Sequence, residues 1–269
     1  MLPDSFRTIT DFVRQRSGIV LDASKTYMLE TRLAPILKRE GLPTLDGLAG
    51  RLRMARHEDL GRAVVEALTT NESLFFRDGH PFEHLAKLFP KLAATRPAGQ
   101  PIRVWSAASS SGQEAYSVAM LAAENTAALK GRSVRIFGTD LSNEMVERAR
   151  KGAFTRFEVQ RGLSVHRLIK FFTQQGEQFV VKEELRAMVQ FKQENLLALP
   201  PCPELHDVVF CRNVLIYFDP PTKQRVLGAI ASRMTRDGVL YLGAAETVLG
   251  LTTAFAPVPG ERGVYALTR

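Results

Sequence analysis

Polar residues follow several short apolar runs of this chain, at positions where a parallel sheet would bind a ligand. Glu114 and Asp140 come after the first two runs, Asn195 after a third, and the pair Arg212-Asn213 after a fourth. If the runs are parallel strands, their carboxyl ends meet at one edge of the sheet and these side chains converge. An acid at the tip of the second strand can bind the two hydroxyl groups of a ribose. The pattern therefore predicts a site for a nucleoside-bearing cofactor.

The loop after the first run favours one class of cofactor. Residues 106–115 read SAASSSGQEA, and small residues let the backbone approach a ligand closely. The loop is not G-x-G-x-x-G, and Glu114 stands where a dinucleotide would place its pyrophosphate. An anion there repels phosphate and attracts a cation. This favours S-adenosylmethionine (SAM), which carries an ammonium and a sulfonium group, over NAD.

The elements that must position these residues alternate between strand and helix from residue 102 onward. Such alternation predicts a doubly wound α/β sheet. Residues 153–185 break the alternation and are interpreted as an insertion. A hairpin-like end predicts an antiparallel last strand, as in the SAM-methyltransferase version of the Rossmann sheet. The predicted strands are 102–105, 134–140, 188–196, 206–213, 238–246 and 263–269, and the predicted helices are 116–129, 142–152 and 222–234.

The first 70 residues have the pattern of a small helical bundle. Apolar residues recur at helical spacing, and Gly18 and Gly41 are interpreted as helix stops. Pro35 is expected to kink the second helix. A linker over 70–81 and a helix over 81–94 lead into the sheet. The helices are predicted at 6–18, 25–41, 45–56 and 58–70. Their candidate positive face consists of Lys25, Arg32, Lys38, Arg39, Arg51, Arg53 and Arg56.

The composition is that of a globular chain with room for one α/β domain and a small one. It has 269 residues, 45% of them hydrophobic and 24% charged. No apolar stretch approaches the about 18 residues of a membrane span, and the N-terminus lacks a secretory signal. Two cysteines in a chain of this length indicate a reducing compartment. The net charge of +8 admits nucleic acid, membrane surfaces or acidic proteins as partners, but the excess is spread without a basic tail.

Five segments together resemble one protein family. WSAASSSGQEAYS, GTDLS, ENLL and FCRNVLIYF, preceded by TNESLFFRD, resemble the chemoreceptor glutamate O-methyltransferases, the CheR family. The resemblance covers the whole chain, and FCRNVLIYFD is its most specific part because generic methyltransferases lack it. It implies a SAM-dependent enzyme that methylates glutamate side chains on the helical hairpins of bacterial chemotaxis receptors. S-adenosylhomocysteine (SAH) would be the second product.

The resemblance also implies a fold and a domain plan. The fold is α/β, a Rossmann-like class I SAM-dependent methyltransferase domain with a small inserted β-subdomain, preceded by a small all-α domain. Residues 1–70 would recognise the receptor, 71–96 would form a linker and lead-in helix, and 97–269 would bind SAM, with the β-subdomain at about 155–190. A cytoplasmic monomer is expected, without metal, nucleic-acid partner or membrane insertion.

Site residues follow from the resemblance position by position. Asp140 would bind the ribose hydroxyls and Glu114 the methionine end, while Arg77 and Tyr217 would act catalytically near the methyl group and the incoming glutamate. Ser73 replaces a frequent threonine, and Gln113 replaces a frequent first glutamate. The implied SAM contacts are Asn71, Ser73, Arg77, Glu114, Asp140, Asn195, Leu196, Arg212 and Asn213.

This residue set suits transfer to a carboxylate. A glutamate side chain has a pKa near 4.3, so at neutral pH it is already an anionic nucleophile and needs no general base. The five histidines lie at no predicted crevice position. The reaction combines a cation and an anion into neutral products. An enzyme can therefore accelerate it mainly by positioning the two reactants and excluding water. Arg77 is predicted to hold the acceptor carboxylate with two hydrogen bonds.

Simpler roles remain open for the same residues. Glu114 suits the first turn of a helix, Tyr217 a hydrophobic core, and Arg77 a pair at a helix end. Asp219-Pro220-Pro221 is similar to the D-P-P-Y motif of amino-group methyltransferases but is interpreted as a helix cap, because it does not end the fourth strand. Pro201-Cys202 precedes that strand and is discounted as a nucleophile.

Two alternative functions remain open, and the insertion is shorter than in some members of the family. The basic charge suits a SAM-dependent RNA or DNA methyltransferase, although the basic segments lack interleaved aromatic residues. A non-catalytic SAM or SAH sensor is the third possibility, against which Arg77 and Tyr217 argue. Residues 171–185 form a short insertion with Gly176 as their one glycine. It resembles the family members that do not bind the receptor's C-terminal pentapeptide, so recognition is expected to use the N-terminal helices and the basic surface.

Overall fold

The computed structural model describes residues 1–54 and 58–268, which form two compact units. The first unit contains Met1–Thr70 and Tyr217–Lys223, and the second contains Asn71–Ile216 and Gln224–Arg269. Arg56 of the predicted positive face and His57 lie outside the described residues. Within the described ranges, every helix is too short or too polar to span a bilayer.

The first unit is helical. Gly18 and Gly41 adopt left-handed conformations at φ 80° and 64° and end the first two helices, so both predicted stops are confirmed. The second helix continues through Pro35 as one element, preceded by a single 3₁₀ turn at Ala23–Lys25. The core of the first unit contains Ile9, Val13, Leu29 and Leu33. The helices are α1 (Pro3–Ser17), α2 (Thr26–Glu40), α3 (Leu45–Arg53) and α4 (Glu58–Leu68).

The second unit is built on a seven-stranded sheet. Its strands are β1 (Ile102–Ala107), β2 (Val134–Asp140), β6 (Val189–Gln193), β7 (His206–Cys211), β8 (Met234–Leu242), β9 (Phe255–Pro257) and β10 (Val264–Leu267). The order is β6-β2-β1-β7-β8-β10-β9. The first five strands are parallel, and β10 is antiparallel to both of its neighbours. The predicted doubly wound α/β fold with an antiparallel late strand is therefore confirmed, and β9 is an addition.

Helices connect and flank these strands. Their bounds are α5 (His80–Thr95), α6 (Gln113–Glu124), α7 (Thr126–Leu129), α8 (Asn143–Lys151) and α12 (Pro220–Ala231). Ser142 accepts a hydrogen bond from the Met145 amide and caps α8. Helix α6 starts three residues before the predicted helix, which puts Glu114 on its first turn. Asp219 accepts the Thr222 amide at 2.9 Å, so its predicted capping role is confirmed.

The predicted insertion is a small antiparallel sheet with short helices. Its sheet has the order β3-β5-β4. Phe75, from the linker before α5, is fully buried, with its ring centroid 4.9 Å from that of Phe154 and 5.7 Å from that of Phe172. The linker is therefore anchored to the insertion. The elements are β3 (Ala153–Thr155), α9 (Arg156–Gln160), α10 (Val165–Phe171), β4 (Phe172–Gln175), β5 (Gln178–Val181) and α11 (Glu183–Arg186).

Candidate functional site

The turn between β1 and α6 holds its backbone in an unusual shape. Ala108 and Ser110 have positive φ angles of 58° and 50°, which cost a non-glycine residue conformational energy. The Ser109 amide donates to the Thr139 carbonyl at 2.9 Å, which fixes the turn to the end of β2. Gly112 has φ 94°, and a Cβ there would lie 3.0 Å from Ala149. The small residues noted in the sequence are thus required by a tight turn.

Asp140 organises this turn from the tip of β2. It is 7% exposed, and its Oδ2 accepts the Ser110 amide at 2.7 Å while Oδ1 accepts the Ser142 amide at 2.9 Å. The Glu194 amide donates to the Asp140 carbonyl at 2.9 Å, which brings the following Asn195 to the same edge. A carboxylate has about four acceptor positions, so its two oxygens can also accept hydroxyl donors. Asp140 therefore lies at the predicted sheet edge, and its ribose role stays a prediction.

Arg212, directly after β7, forms the centre of the site. Its side chain is 2% exposed, and Nη1 donates to Glu114 Oε2 at 3.0 Å. Nη2 donates to the Arg77 carbonyl at 2.7 Å and to Asp78 Oδ2 at 2.6 Å. Glu114 Oε1 accepts the Ser106 hydroxyl at 2.8 Å. Glu114 therefore faces a cation, as the sequence suggested, but that cation is supplied by the chain itself.

Residues 71–79, here called the strap, lie along the ends of β1 and β7. The Asn71 carbonyl accepts the Ser110 hydroxyl at 2.7 Å, and the Phe76 amide donates to Ser117 Oγ at 2.9 Å. With the Arg212 bonds to Arg77 and Asp78, these contacts bring the predicted strap residues to the strand ends. The Arg77 guanidinium is partly exposed and lies 3.5 Å from the Glu72 carbonyl oxygen.

Ser73 and Leu196 complete the set that the structure locates in the second unit. Ser73 is partly buried on the strap, and Leu196 is partly buried just after Asn195. Asn195 Oδ1 accepts the Leu197 amide at 3.0 Å, which closes a turn beyond β6. Both segments therefore border the edge where Asp140 lies.

Two buried polar atoms of this site have no hydrogen-bond partner. They are Ser109 Oγ and Arg212 Nε. Among the described residues, a third buried side-chain atom of this kind, His206 Nδ1, lies outside the site. An unsatisfied buried donor costs about 1–3 kcal/mol, so native proteins rarely leave one without a function. The Arg212 Nε–H suits a ligand carboxylate, and Asp140 suits ribose hydroxyls. The residues present therefore fit a nucleoside that carries an amino-acid end, as SAM does.

Tyr217 is placed differently from the other predicted residues. It ends a 3₁₀ turn, Leu215–Tyr217, and belongs to the first unit. There its carbonyl oxygen accepts the Val20 amide at 2.9 Å. Its catalytic role stays a prediction.

Three histidines of the second unit lie away from the Arg212 cluster. His80 pairs with Glu261 at 2.7 Å, and His84 Nδ1 lies 2.7 Å from the Tyr241 hydroxyl. His206 begins β7, at the strand end opposite the crevice, and is 4% exposed. Burial, reinforced by nearby arginines, lowers the pKa of His206 to about 4, so its ring is neutral near pH 7. In the described ranges, no group of three or more metal-ligating side chains is present.

Sequence reasoning missed two residues of this site. Asp78 holds Arg212, and Glu246 accepts the backbone amide of Asn213 at 2.8 Å. Nothing local marks Asp78 apart from its place beside Arg77. Glu246, in contrast, ended the predicted strand 238–246, so the strand-end argument applied to the other acids would have found it.

Comparison with known proteins covers both units. Residues 4–69 match a family model described as CheR methyltransferase, all-alpha domain, and residues 71–264 match CheR methyltransferase, SAM binding domain. A chemotaxis protein methyltransferase of Vibrio parahaemolyticus is 41% identical over 263 residues, 96% of this chain and 94% of that protein. Chemotaxis protein methyltransferase Cher2 of Pseudomonas putida is 37% identical over 265 residues, 96% of each chain. The chemotaxis protein methyltransferase of Escherichia coli K12 is 37% identical over 269 residues, 98% of this chain and 91% of that protein.

Proposed function

This chain belongs to the CheR family of SAM-dependent methyltransferases of chemotaxis, and on that premise we propose that it methylates glutamate side chains of bacterial chemoreceptors. The products would be glutamate methyl esters and SAH. The observation that carries the proposal is Arg212, which is buried between Glu114 and the strap with its Nε–H unsatisfied. It offers a binding point for an amino-acid carboxylate at the end of the sheet.

The cofactor-binding roles follow from the geometry around Arg212. When bound, SAM supplies a methyl group on its sulfonium sulfur. The leaving group is the thioether SAH, which needs no protonation. Asp140 would accept the ribose hydroxyls, Glu114 the methionine ammonium, and Arg212 Nε would donate to the methionine carboxylate. A charge-assisted bond of this kind is stronger than a neutral one. The same proposal assigns the remaining cofactor contacts to Asn71, Ser73, Arg77, Asn195, Leu196 and Asn213.

Arg77 is proposed to orient the acceptor. Its backbone is fixed because its carbonyl accepts from Arg212, while its guanidinium remains partly exposed to an incoming side chain. A guanidinium can hold one carboxylate with two parallel hydrogen bonds and direct an oxygen toward the methyl carbon. The electron pair for the new C–O bond comes from the acceptor carboxylate, and no proton moves. Tyr217 is proposed as the second catalytic residue.

Receptor recognition is assigned by this proposal to residues 1–70. Part of the predicted positive face is neutralised, since Arg51 pairs with Glu40 at 3.1 Å and Arg53 pairs with Asp4. Exposed apolar side chains accompany the charges, among them Tyr27 at 78% exposure. Such a mixed surface suits the side of a helical hairpin. Because chemoreceptor hairpins of this kind lie in the cytoplasm, the enzyme is proposed to act there, as a monomer.

Independence from the receptor's C-terminal pentapeptide is also proposed. Strands β4 and β5 are joined by two residues, Gly176-Glu177, so the insertion has no long glycine-containing loop at this hairpin. Isothermal calorimetry with the pentapeptide should give no heat of binding. Clear micromolar binding would contradict this part of the proposal and leave the methyl-transfer reaction untouched.

Methyl transfer to purified receptor cytoplasmic fragments tests the main proposal. With methyl-labelled SAM, the label should enter the fragment and be released as methanol by mild alkali, as expected for a carboxyl ester. A fragment whose candidate glutamates are replaced by alanine should accept no label. Labelling of RNA or DNA instead would establish a nucleic-acid methyltransferase, and SAM binding without transfer to the intact fragment would establish a sensor.

A further inference from the structure

The turn that follows β7 is held by a single buried carboxylate, that of Glu246. Glu246 is 8% exposed and lies just beyond β8. Its Oε2 accepts the amides of Asn213 at 2.8 Å and Gly243 at 2.7 Å. Its Oε1 accepts the amides of Val214 at 2.9 Å and Ile216 at 3.3 Å. Four backbone donors, three of them from one turn, therefore point at the two oxygens of one side chain.

The backbone of this turn requires such an acceptor. Asn213 has φ 59°, a left-handed conformation in which a non-glycine residue is strained unless its surroundings hold it. Buried amides without an acceptor would each add a cost. The space is closed as well, because a Cβ on Gly243 would lie 2.7 Å from Glu246 Oε2 and 2.8 Å from Asn213 Nδ2. One carboxylate thus satisfies the donors of a strained turn in a volume that admits little else.

The position of this turn matters for the cofactor site. Arg212 and Asn213 are its first residues, and the Arg212 side chain reaches Glu114 and the strap from there. A shift of the turn by a fraction of an ångström would move the Nε–H that awaits a ligand. Precise placement of this kind is what a rigid neighbouring group supplies to a binding site.

We propose that Glu246 is a positioning residue that holds the Arg212–Asn213 turn in the conformation that binds SAM. It acts through the backbone of the turn and does not itself touch the cofactor. The proposal rests on the assignment of Arg212 and Asn213 as cofactor contacts under the proposed function. It adds to those contacts a residue on the segment after β8 that supports them without touching the cofactor.

Three variants of the full-length chain test this role. Glu246→Gln keeps the size of the side chain but replaces one oxygen by an NH₂ donor, so the two amide bonds to that atom are lost. Glu246→Asp keeps the charge but is one methylene shorter. Gly243→Ala leaves Glu246 intact and places a methyl group in the space occupied by its Oε2.

A matched control is Glu158→Gln. Glu158 also caps a backbone amide, that of Thr155 at 2.9 Å, and pairs with Arg148 at 2.8 Å, but it lies in the insertion. Arg212→Met tests the underlying cofactor assignment separately. For each folded variant, the SAM dissociation constant is measured by calorimetry at a temperature well below its melting transition, which is recorded in parallel.

The expected result separates positioning from stability alone. Glu246→Gln and Gly243→Ala should raise the SAM dissociation constant at least about tenfold in folded protein, while Glu158→Gln should leave it within about twofold. A lowered melting temperature with unchanged SAM affinity in Glu246→Gln would overturn the positioning role. If Glu246→Gln does not fold, Glu246→Asp and Gly243→Ala decide by the same criterion. Unchanged affinity in Arg212→Met would instead refute the assignment of Arg212 to the cofactor.

Discussion

Replacing Arg212 by methionine should leave the buried carboxylate of Glu114 without its cationic partner. Arg212 pairs with Glu114, whose side chain is 12% exposed, and with Asp78, whose side chain is 45% exposed. Removing one partner of a buried ion pair costs about 3–5 kcal/mol, whereas losing a pair to a half-exposed partner costs about 0–1 kcal/mol. We therefore expect Arg212→Met to lower the free energy of unfolding by about 3–5 kcal/mol, nearly all of it through Glu114.

A second substitution shows where that cost arises. Glu114→Gln removes the charge but keeps the Ser106 contact, so Arg212→Met in the Glu114→Gln background leaves no buried charge behind. The loss in that background should be smaller by about 2 kcal/mol or more, which is the coupling energy of the cycle. The chain's one tryptophan, Trp105, lies in β1, so urea unfolding followed by its fluorescence reports on the second unit.

Additivity would refute this reasoning. If the two single losses sum to the loss of the double variant within about 0.5 kcal/mol, Glu114 and Arg212 are not energetically linked. A surface pair provides the control: Arg161 pairs with Glu72 at 2.7 Å, with side chains 39% and 57% exposed. Arg161→Met should cost less than about 1 kcal/mol. A similar cost for both arginine variants would show that burial does not decide the outcome.

Three further perturbations follow from other parts of the second unit. Burial, with Arg233 and Arg103 nearby, lowers the pKa of His206 from 6.5 to about 4, so only the unfolded chain takes up this proton as the pH falls through 6.5. The stability that this pKa shift provides is present above pH 6.5 and is lost as the pH falls toward 4. The free energy of unfolding, measured by urea titration, should therefore fall by about 2 kcal/mol between pH 6.5 and 5, and His206→Phe should abolish that fall. An unchanged pH dependence of the unfolding free energy in His206→Phe would contradict this. Arg77→Ala should lower methyl transfer to receptor fragments far more than SAM affinity, and full turnover would exclude its proposed role. Gly162→Ala would put a Cβ 1.9 Å from a strap carbonyl oxygen at φ 98°, so we expect a clearly lower melting temperature, and an unchanged one would show that the strap yields there.

Local patterns predicted six of the seven strands of the sheet and the acid at the tip of its second strand. The strand over 134–140 was predicted to the residue, because its apolar run is bounded by charged and small residues. The helix predicted over 142–152 coincides with α8 and its two caps, Ser142 and Gly152, since each cap depends on the chemistry of one side chain or one glycine. These features involve residues only a few positions apart in the chain.

Contacts between distant segments were beyond such patterns. Arg212 and Asp78 are separated by 134 positions, and Glu246 and Asn213 by 33. Which acid serves which strand-end residue depends on strand order in three dimensions, and β8 lies beside β7 only in the folded sheet. The predicted helix start at 116 missed α6 by three residues for a related reason. The first turn of α6 is held by Ser106 and Arg212 through Glu114, not by a local side-chain cap.

The arrangement of bonds around Arg212 determines how a ligand carboxylate can enter. Nη1 is directed to Glu114 and Nη2 to the strap, and Nε is the donor without a partner. A carboxylate that binds at Nε adds a bond to the guanidinium and displaces none of the existing ones. It also satisfies a buried donor whose isolation costs free energy in the protein alone. Because the strap is attached to the same guanidinium, ligand binding should reinforce its attachment. If the methyl donor binds at Arg212 as proposed, its binding and the fixing of the segment that carries Arg77 would be coupled through one side chain.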